Sequence, residues 1–337
     1  MSERPRALLV CPGGGPTGMA PPGSLADHPL IGAVDAMRLE YGLEPLAELN
    51  RTPFDPSRHL RPANAAPGLF VRTLLDAERV EEDLGIAVVV GSSVGWYAAL
   101  AVSGALPIGD AFRLVQEVSL IREDAMRQGG GQVIYPLLDS RWRPSADARA
   151  AVADVLSDAG AGAHPAFESI DFGGFVVLAG DEAGVGRLLQ QLPVVQVGER
   201  RFPLRLAMQG PDHTPLAEGV AEAAADRLSS LGWRAPRVPL VDGRGARWSP
   251  WSTDPASLRD HTLGAQLVEP YHFGVGLRVA LREYAPDHVV VAGAGGGMMA
   301  IVGQVIVEEG YRGLRSRAAF EAAQRSARPL VLSVGAA

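Results

Sequence analysis

The run Ile86 to Leu100, IAVVVGSSVGWYAAL, constrains this chain more than any other stretch. Its first five residues are apolar and mostly β-branched, which predicts a strand. The alanine-rich segment after Gly95 predicts a helix. Gly91-Ser92-Ser93-Val94-Gly95 joins the two directly. A turn this sharp needs glycine where a side chain would collide, and it holds the Ser93 hydroxyl at its tip beside the helix N-terminus. There the Val94 amide is placed to donate to a developing oxyanion. The feature demands an α/β fold and offers a serine nucleophile. The plainer alternative is a tight strand-to-helix turn with an incidental serine.

Composition narrows the classes. With 337 residues, 47% hydrophobic and 20% charged, the chain has an ordinary globular make-up, long enough for one large domain carrying an inserted smaller one. No apolar run reaches membrane-span length, and MSERPRALLV has no secretory h-region, so a cytoplasmic protein without membrane association is expected. Cys11 is the single cysteine, which excludes internal disulfides and disfavours a cysteine-based zinc site. No metal cluster motif is present. The net charge of −7 argues against a nucleic-acid binder. All 31 basic residues are arginine. CPGGGPTGM, from Cys11, therefore has no lysine to complete a phosphate loop, and GAGGGM near residue 293 departs from G-x-G-x-x-G at Met298.

Along the chain, Arg6–Val10 reads as the first strand and Ile31–Tyr41 as the one helix of a proline-rich stretch from 20 to 65. Leu69–Leu84 has apolar residues at helical spacing. Trp96–Ser103 and about Gly109–Arg127 are expected helices, the latter ended by Gly129–Gly131. Strands at Gln132–Leu138, Gly174–Ala179 and Arg201–Ala207 alternate with helices at Ala146–Ala159 and Glu182–Leu192. That alternation predicts a ferredoxin-like insert. Pro215–Leu231, Gly274–Tyr284 and Met298–Glu308 read as helices, Val238–Val241 and His288–Ala292 as strands. The expected division is a core of 1–128 and 203–337 with an insert of 129–202.

A serine nucleophile needs a base. Of the seven histidines, His213 in PDHTPL stands apart, after the insert's last strand and just before a helix.

Several motifs, in order, carry a resemblance. They are CPGGGPT (Cys11–Thr17), NAAPGLF (Asn64–Phe70), GSSVGWYAAL (Gly91–Leu100) and GAL with DAFRLV (Gly104–Val115). HTPL (His213–Leu216), QLVEP (Gln266–Pro270) and GAG (Gly293–Gly295) follow. Together they resemble the malonyl-CoA:acyl carrier protein transacylases and the acyltransferase domains of polyketide synthases, over about residues 6–310. The resemblance implies an α/β-hydrolase-like core with a ferredoxin-like insert. It also implies a ping-pong S-acyltransferase without bound cofactor, whose partners are acyl carrier proteins bearing phosphopantetheine, in polyketide or related biosynthesis. Carried over, Ser93 is the nucleophile and His213 its base. The main-chain carbonyl of Gln266 orients the histidine, and the Val94 and Thr17 amides form the oxyanion hole.

The departures fall at the acyl pocket. The histidine beside the family's nucleophile is Ser92 here, and two family glutamines are Thr17 and Ala66. An ungapped alignment puts the malonyl-binding arginine at Val118, with Arg122 at a methionine position. A one-turn slip would put Arg122 on the arginine and Met126 on the methionine. Asp212 beside His213 is unusual for the family and is given no orienting role. These changes predict fewer carboxylate-binding groups, more room and more apolar wall. The expected substrate is therefore a larger, uncharged or amino-bearing acyl group (aminoacyl, peptidyl or fatty acyl) on a carrier. The alternatives are malonyl-CoA:acyl carrier protein transfer and editing hydrolysis of acyl-carriers. Acidic carriers would meet arginines such as Arg141, Arg143, Arg200, Arg201, Arg312, Arg315 or Arg317.

Overall fold

The computed structural model describes residues 4–14, 28–160, 164–293 and 296–334. Twelve strands occur among them: β1 Arg6–Cys11, β2 Gly85–Gly91, β3 Gly131–Pro136, β4 Ala166–Asp171, β5 Phe175–Gly180 and β6 Val195–Val197, then β7 Arg200–Phe202, β8 Leu204–Arg205, β9 Leu240–Val241, β10 Arg247–Trp248, β11 His288–Val291 and β12 Val331–Ser333.

Six strands form the large sheet in the order β10-β9-β2-β1-β11-β12, parallel except for the antiparallel β10. A mostly parallel sheet has to be covered on both faces, and the pleat of β1 shows how. Ala7, Leu9 and Cys11 point into a core with the helices Pro62–Asp83, Gly95–Val102 and Ile108–Ala125. Leu8 and Val10 point into a second core with Phe273–Tyr284 and Gly296–Glu309.

The small sheet runs β4-β5-β3-β8, antiparallel throughout, with the helices Ala146–Gly160 and Glu182–Gln191 packed against it. In chain order this is β-α-β-β-α-β, the ferredoxin-like arrangement. The molecule thus has the α/β-hydrolase-like core and inserted small unit. β8 pairs with β3, so the small sheet continues to Arg205, past the expected limit at 202. The insert does not stand free: Ile170, Phe172 and Val177 pack into the second core, and Tyr271 bonds by backbone to Ser169 and Asp171.

Three segments differ from the sequence reading. The helix expected at Leu69–Leu84 starts at Pro62 and carries Pro67 inside it. Proline removes the bond to the carbonyl four residues back. That carbonyl, Ala63, accepts instead from Arg38 Nη1 at 2.7 Å and Gln116 Nε2 at 3.1 Å. The stretch read as loop also holds the short helices Leu46–Arg51 and Pro56–His59. β4 was not expected at all. Its register shifts between Glu168 and Ile170, and its polar residues break the alternation that would have marked it. No described helix is long and apolar enough to cross a membrane.

Candidate active site

The elbow is fixed by close approach of backbone to backbone. A Cβ at Gly91 would lie 2.5 Å from the Trp96 main chain, and one at Gly95 would lie 2.2 Å from the Cys11 carbonyl oxygen. Neither position admits a side chain. Between them Ser93 takes φ +52°, the left-handed region that a residue with Cβ enters only under strain. Val94 follows at the N-terminal end of the helix Gly95–Val102, where an amide has no carbonyl within its own helix.

His213 reaches the same point from the other side of the molecule, and it too has positive φ, +57°. Its amide donates to the Leu267 carbonyl, and the Asp212 carbonyl accepts from Ser169 Oγ at 2.8 Å. The backbone on both sides of the histidine is therefore held. Its Nε2 lies 2.7 Å from Ser93 Oγ and its Nδ1 lies 2.7 Å from the Gln266 carbonyl oxygen. A carbonyl only accepts, so Nδ1 carries the proton and Nε2 is the basic nitrogen facing the serine. Gln266 also donates from Nε2 to the Ser93 carbonyl at 3.2 Å. Burial pushes the imidazole down to about 4, outweighing the opposing pull of the Asp212 carboxylate and the Gln266 carbonyl. Near neutral pH the ring is uncharged, the state in which it can take the Ser93 proton.

Beside the elbow lies a small cavity of about 40 Å³ lined by Gly14, Leu60, Ala66, Val94, Arg122 and Gln209 among others. Two of the residues expected at the pocket, Ala66 and Arg122, are there. Val118 is not: it is 1% exposed in the core, one turn before Arg122, so Arg122 is the residue its helix presents to the site. Ser92 lies fully buried beneath the turn, and its Oγ has no hydrogen-bond partner among the described residues. Thr17 lies outside the described residues. The roomier pocket expected from the substitutions is not found at this point. More space, about 150 Å³, lies behind Arg122, lined by Met126, Asp212, Leu216 and Val220 among others.

Arg122 does not face the cavity as a free cation. Its Nε donates to Asp212 Oδ1 at 2.8 Å, its Nη2 donates to Oδ2, and Nη2 also reaches Gln209 Oε1 at 3.3 Å. The pair is almost enclosed, with the two side chains 12% and 10% exposed. Burial works against the guanidinium charge, but the Asp212 carboxylate more than compensates and raises its affinity for the proton.

Sequence reasoning missed four contributors. Tyr271 donates its hydroxyl to the Gly91 carbonyl and leans on the His213 ring at 5.5 Å. Gln209 bridges Arg122 and the cavity. Gln132, a polar residue in the otherwise apolar run of β3, and Ser169 on β4 form the buried network that holds the Asp212 carbonyl. The polar break in β3 was the available signal. The structure also gathers Glu168, Asp171 and His272, whose ligating atoms lie within 4.8 Å of one another, although no metal motif was legible. Among the arginines considered for docking, Arg143, Arg312 and Arg317 are already paired with Asp139, Asp287 and Glu321.

No family model matches the chain. It is 25% identical over 238 residues to the malonyl CoA-acyl carrier protein transacylase of Salmonella typhimurium, covering 70% of this chain and 72% of that one. It is 28% identical over 249 residues to a polyketide synthase of Streptomyces halstedii, covering 70% of this chain and 4% of that much longer protein. The crystal structure of an acyl-carrier-protein S-malonyltransferase from Burkholderia pseudomallei superposes with a TM-score of 0.74 at 18% identity, covering 98% and 96% of the two chains. The ordered motifs, the sequence relatives and the shared fold agree: the chain is a divergent relative of the malonyl-CoA:acyl carrier protein transacylases and polyketide synthase acyltransferases.

Proposed function

We propose that the chain is an acyl carrier protein S-acyltransferase that moves an acyl group between pantetheine thioesters through an ester on Ser93. The observation that carries this reading is the continuous relay from Ser93 Oγ through His213 to the Gln266 carbonyl. His213 takes the serine proton as Oγ attacks the thioester carbonyl, and the Val94 amide stabilises the oxyanion. The protonated ring then gives its proton to the leaving pantetheine thiolate. A second carrier thiol, deprotonated by His213, reverses the sequence. No cofactor is needed, because the carrier or coenzyme A brings the pantetheine. The names of the relatives, which act on acyl carrier proteins, support the partner class.

For the acyl group, the pairing of Arg122 with Asp212 supports one without a free carboxylate: aminoacyl, peptidyl or fatty acyl. A carboxylate buried without its own cation costs several kcal/mol, and Arg122 is already paired. A second reading, malonyl transfer, is favoured by the relatives' names and by the presence of Arg122 at the cavity. Loading with butyryl- and malonyl-CoA, followed by a holo carrier protein, separates them. Butyryl is expected to reach the carrier thiol faster than malonyl. Faster malonyl transfer would establish the second reading, and free acid in place of acyl-carrier would indicate a hydrolase.

The buried histidine gives the loading step a pH signature. Only neutral His213 accepts the proton, and its lowered pKa moves the loss of activity to lower pH. The loading rate should stay level from about pH 8 down to 6 and halve near pH 4. A midpoint at the ordinary histidine value of 6.5 would show that burial does not lower the affinity of His213 for its proton.

A further inference from the structure

The Arg122–Asp212 ion pair is almost enclosed beside the candidate site. A guanidinium recognises a carboxylate through two parallel N–H groups on one edge. Here Asp212 occupies the edge formed by Nε and Nη2, and Gln209 takes a further bond from Nη2. Arg122 borders both the cavity beside Val94 and the larger space behind it, whereas Asp212 borders only the space behind. The aspartate thus satisfies the cation from the rear. It is also the residue immediately before His213, so its main chain is fixed by the same bonds that hold the catalytic ring.

We propose that Asp212 is a specificity-determining residue: a built-in carboxylate that takes the place a substrate carboxylate would have on Arg122, and so excludes carboxylated acyl groups from Ser93. The inference rests on the acyl-transfer reading above. It adds that the exclusion resides in one side chain. Discrimination of this kind works by penalising the wrong ligand: a malonyl carboxylate entering the cavity meets an arginine already neutralised, with a second carboxylate behind it.

The test measures, by intact mass, the initial rates at which butyryl-CoA and malonyl-CoA load the wild type, Asp212→Asn, and the double variant Arg122→Gln/Asp212→Asn. Asparagine keeps the shape and acceptor oxygen of aspartate but not its charge. The double variant replaces the ion pair with a neutral hydrogen-bonded one and so leaves no unpaired buried charge. The readout is the malonyl-to-butyryl rate ratio. The expected result is a rise of about tenfold or more in Asp212→Asn, with the double variant back near the wild-type ratio. An unchanged ratio in Asp212→Asn, or a raised ratio that persists without Arg122, overturns the proposal. If Asp212→Asn does not fold, the double variant still decides: a malonyl preference there shows that malonyl is admitted without a free cation and overturns the proposal, and continued exclusion of malonyl supports a requirement for a free cation. A wild type that loads neither donor overturns the acyl-transfer reading itself, and this inference with it. A wild type that loads butyryl while the ratios fail to move overturns only the role of Asp212.

Discussion

Replacing His213 with asparagine should lower the rate of Ser93 acylation by about 10²–10⁴-fold, the range that a positioned general base contributes. Asparagine suits the site for a physical reason. The backbone at 213 is left-handed, φ +57°, and asparagine enters that region more readily than other residues with a Cβ. The surrounding anchors are main-chain or lie on neighbours: the 213 amide on the Leu267 carbonyl, the Asp212 carbonyl on Ser169 and the Thr214 side chain on the Leu216 amide. The fold should therefore survive. What disappears is the nitrogen 2.7 Å from Ser93 Oγ and the ring N–H by which the Gln266 carbonyl orients it. Stopped-flow or intact-mass loading, with a thermal melt alongside, checks both halves of this expectation. A variant that melts near the wild type and loads at an undiminished rate would remove His213 from the chemistry.

The same anchoring explains why parts of the site could be read from sequence. Ser93 was legible because strand, Gly-x-Ser-x-Gly and helix are contiguous, and because Gly91 and Gly95 admit no side chain. His213 and Gln266 were legible only through motifs in order. Nothing local to HTPL or QLVEP states that residues 213 and 266 meet. The alternation of the insert was also legible, apart from β4, whose FESID mixes apolar and polar residues across a register shift. The start of the helix Pro62–Asp83 was hidden because Pro67 reads locally as a break. Arg38 and Gln116, 25 and 53 residues from Ala63, supply the missing donors.

The pocket was the least legible part. Alignment left two registers open for the helix Ile108–Ala125, with Val118 or Arg122 in the arginine position. Burial separates them, since Val118 lies in the core and Arg122 at the cavity. The partner of Arg122 is 90 residues away in sequence, and no periodicity or spacing could have announced it. Asp212 is a neighbour of His213 in sequence, yet its carboxylate turns to Arg122, while His213 is oriented by a main-chain carbonyl. Adjacent residues on a fixed backbone can serve separate tasks, one holding a charge and the other moving a proton.

The left-handed backbone at Ser93 has its own consequence. Strain of this kind costs on the order of 1–3 kcal/mol and persists only where the surroundings enforce it. Here the enforcement comes from the Cys11 carbonyl, which accepts from the Ser92 amide, and from Gln266, which donates to the Ser93 carbonyl. The hydroxyl is thereby presented to His213 before any substrate arrives.

The second large effect follows from that placement: Ser93→Ala should abolish the covalent intermediate altogether, because alanine keeps the turn but has no oxygen to acylate. The decisive measurement is a quench of the wild type with an acyl-pantetheine donor, followed by peptide mapping, with Ser93→Ala treated in parallel. One added acyl group is expected on the peptide containing Ser93, absent from the variant and removed by an added carrier thiol. An acyl group on any other residue, or transfer to the carrier thiol that continues in Ser93→Ala, would contradict that expectation.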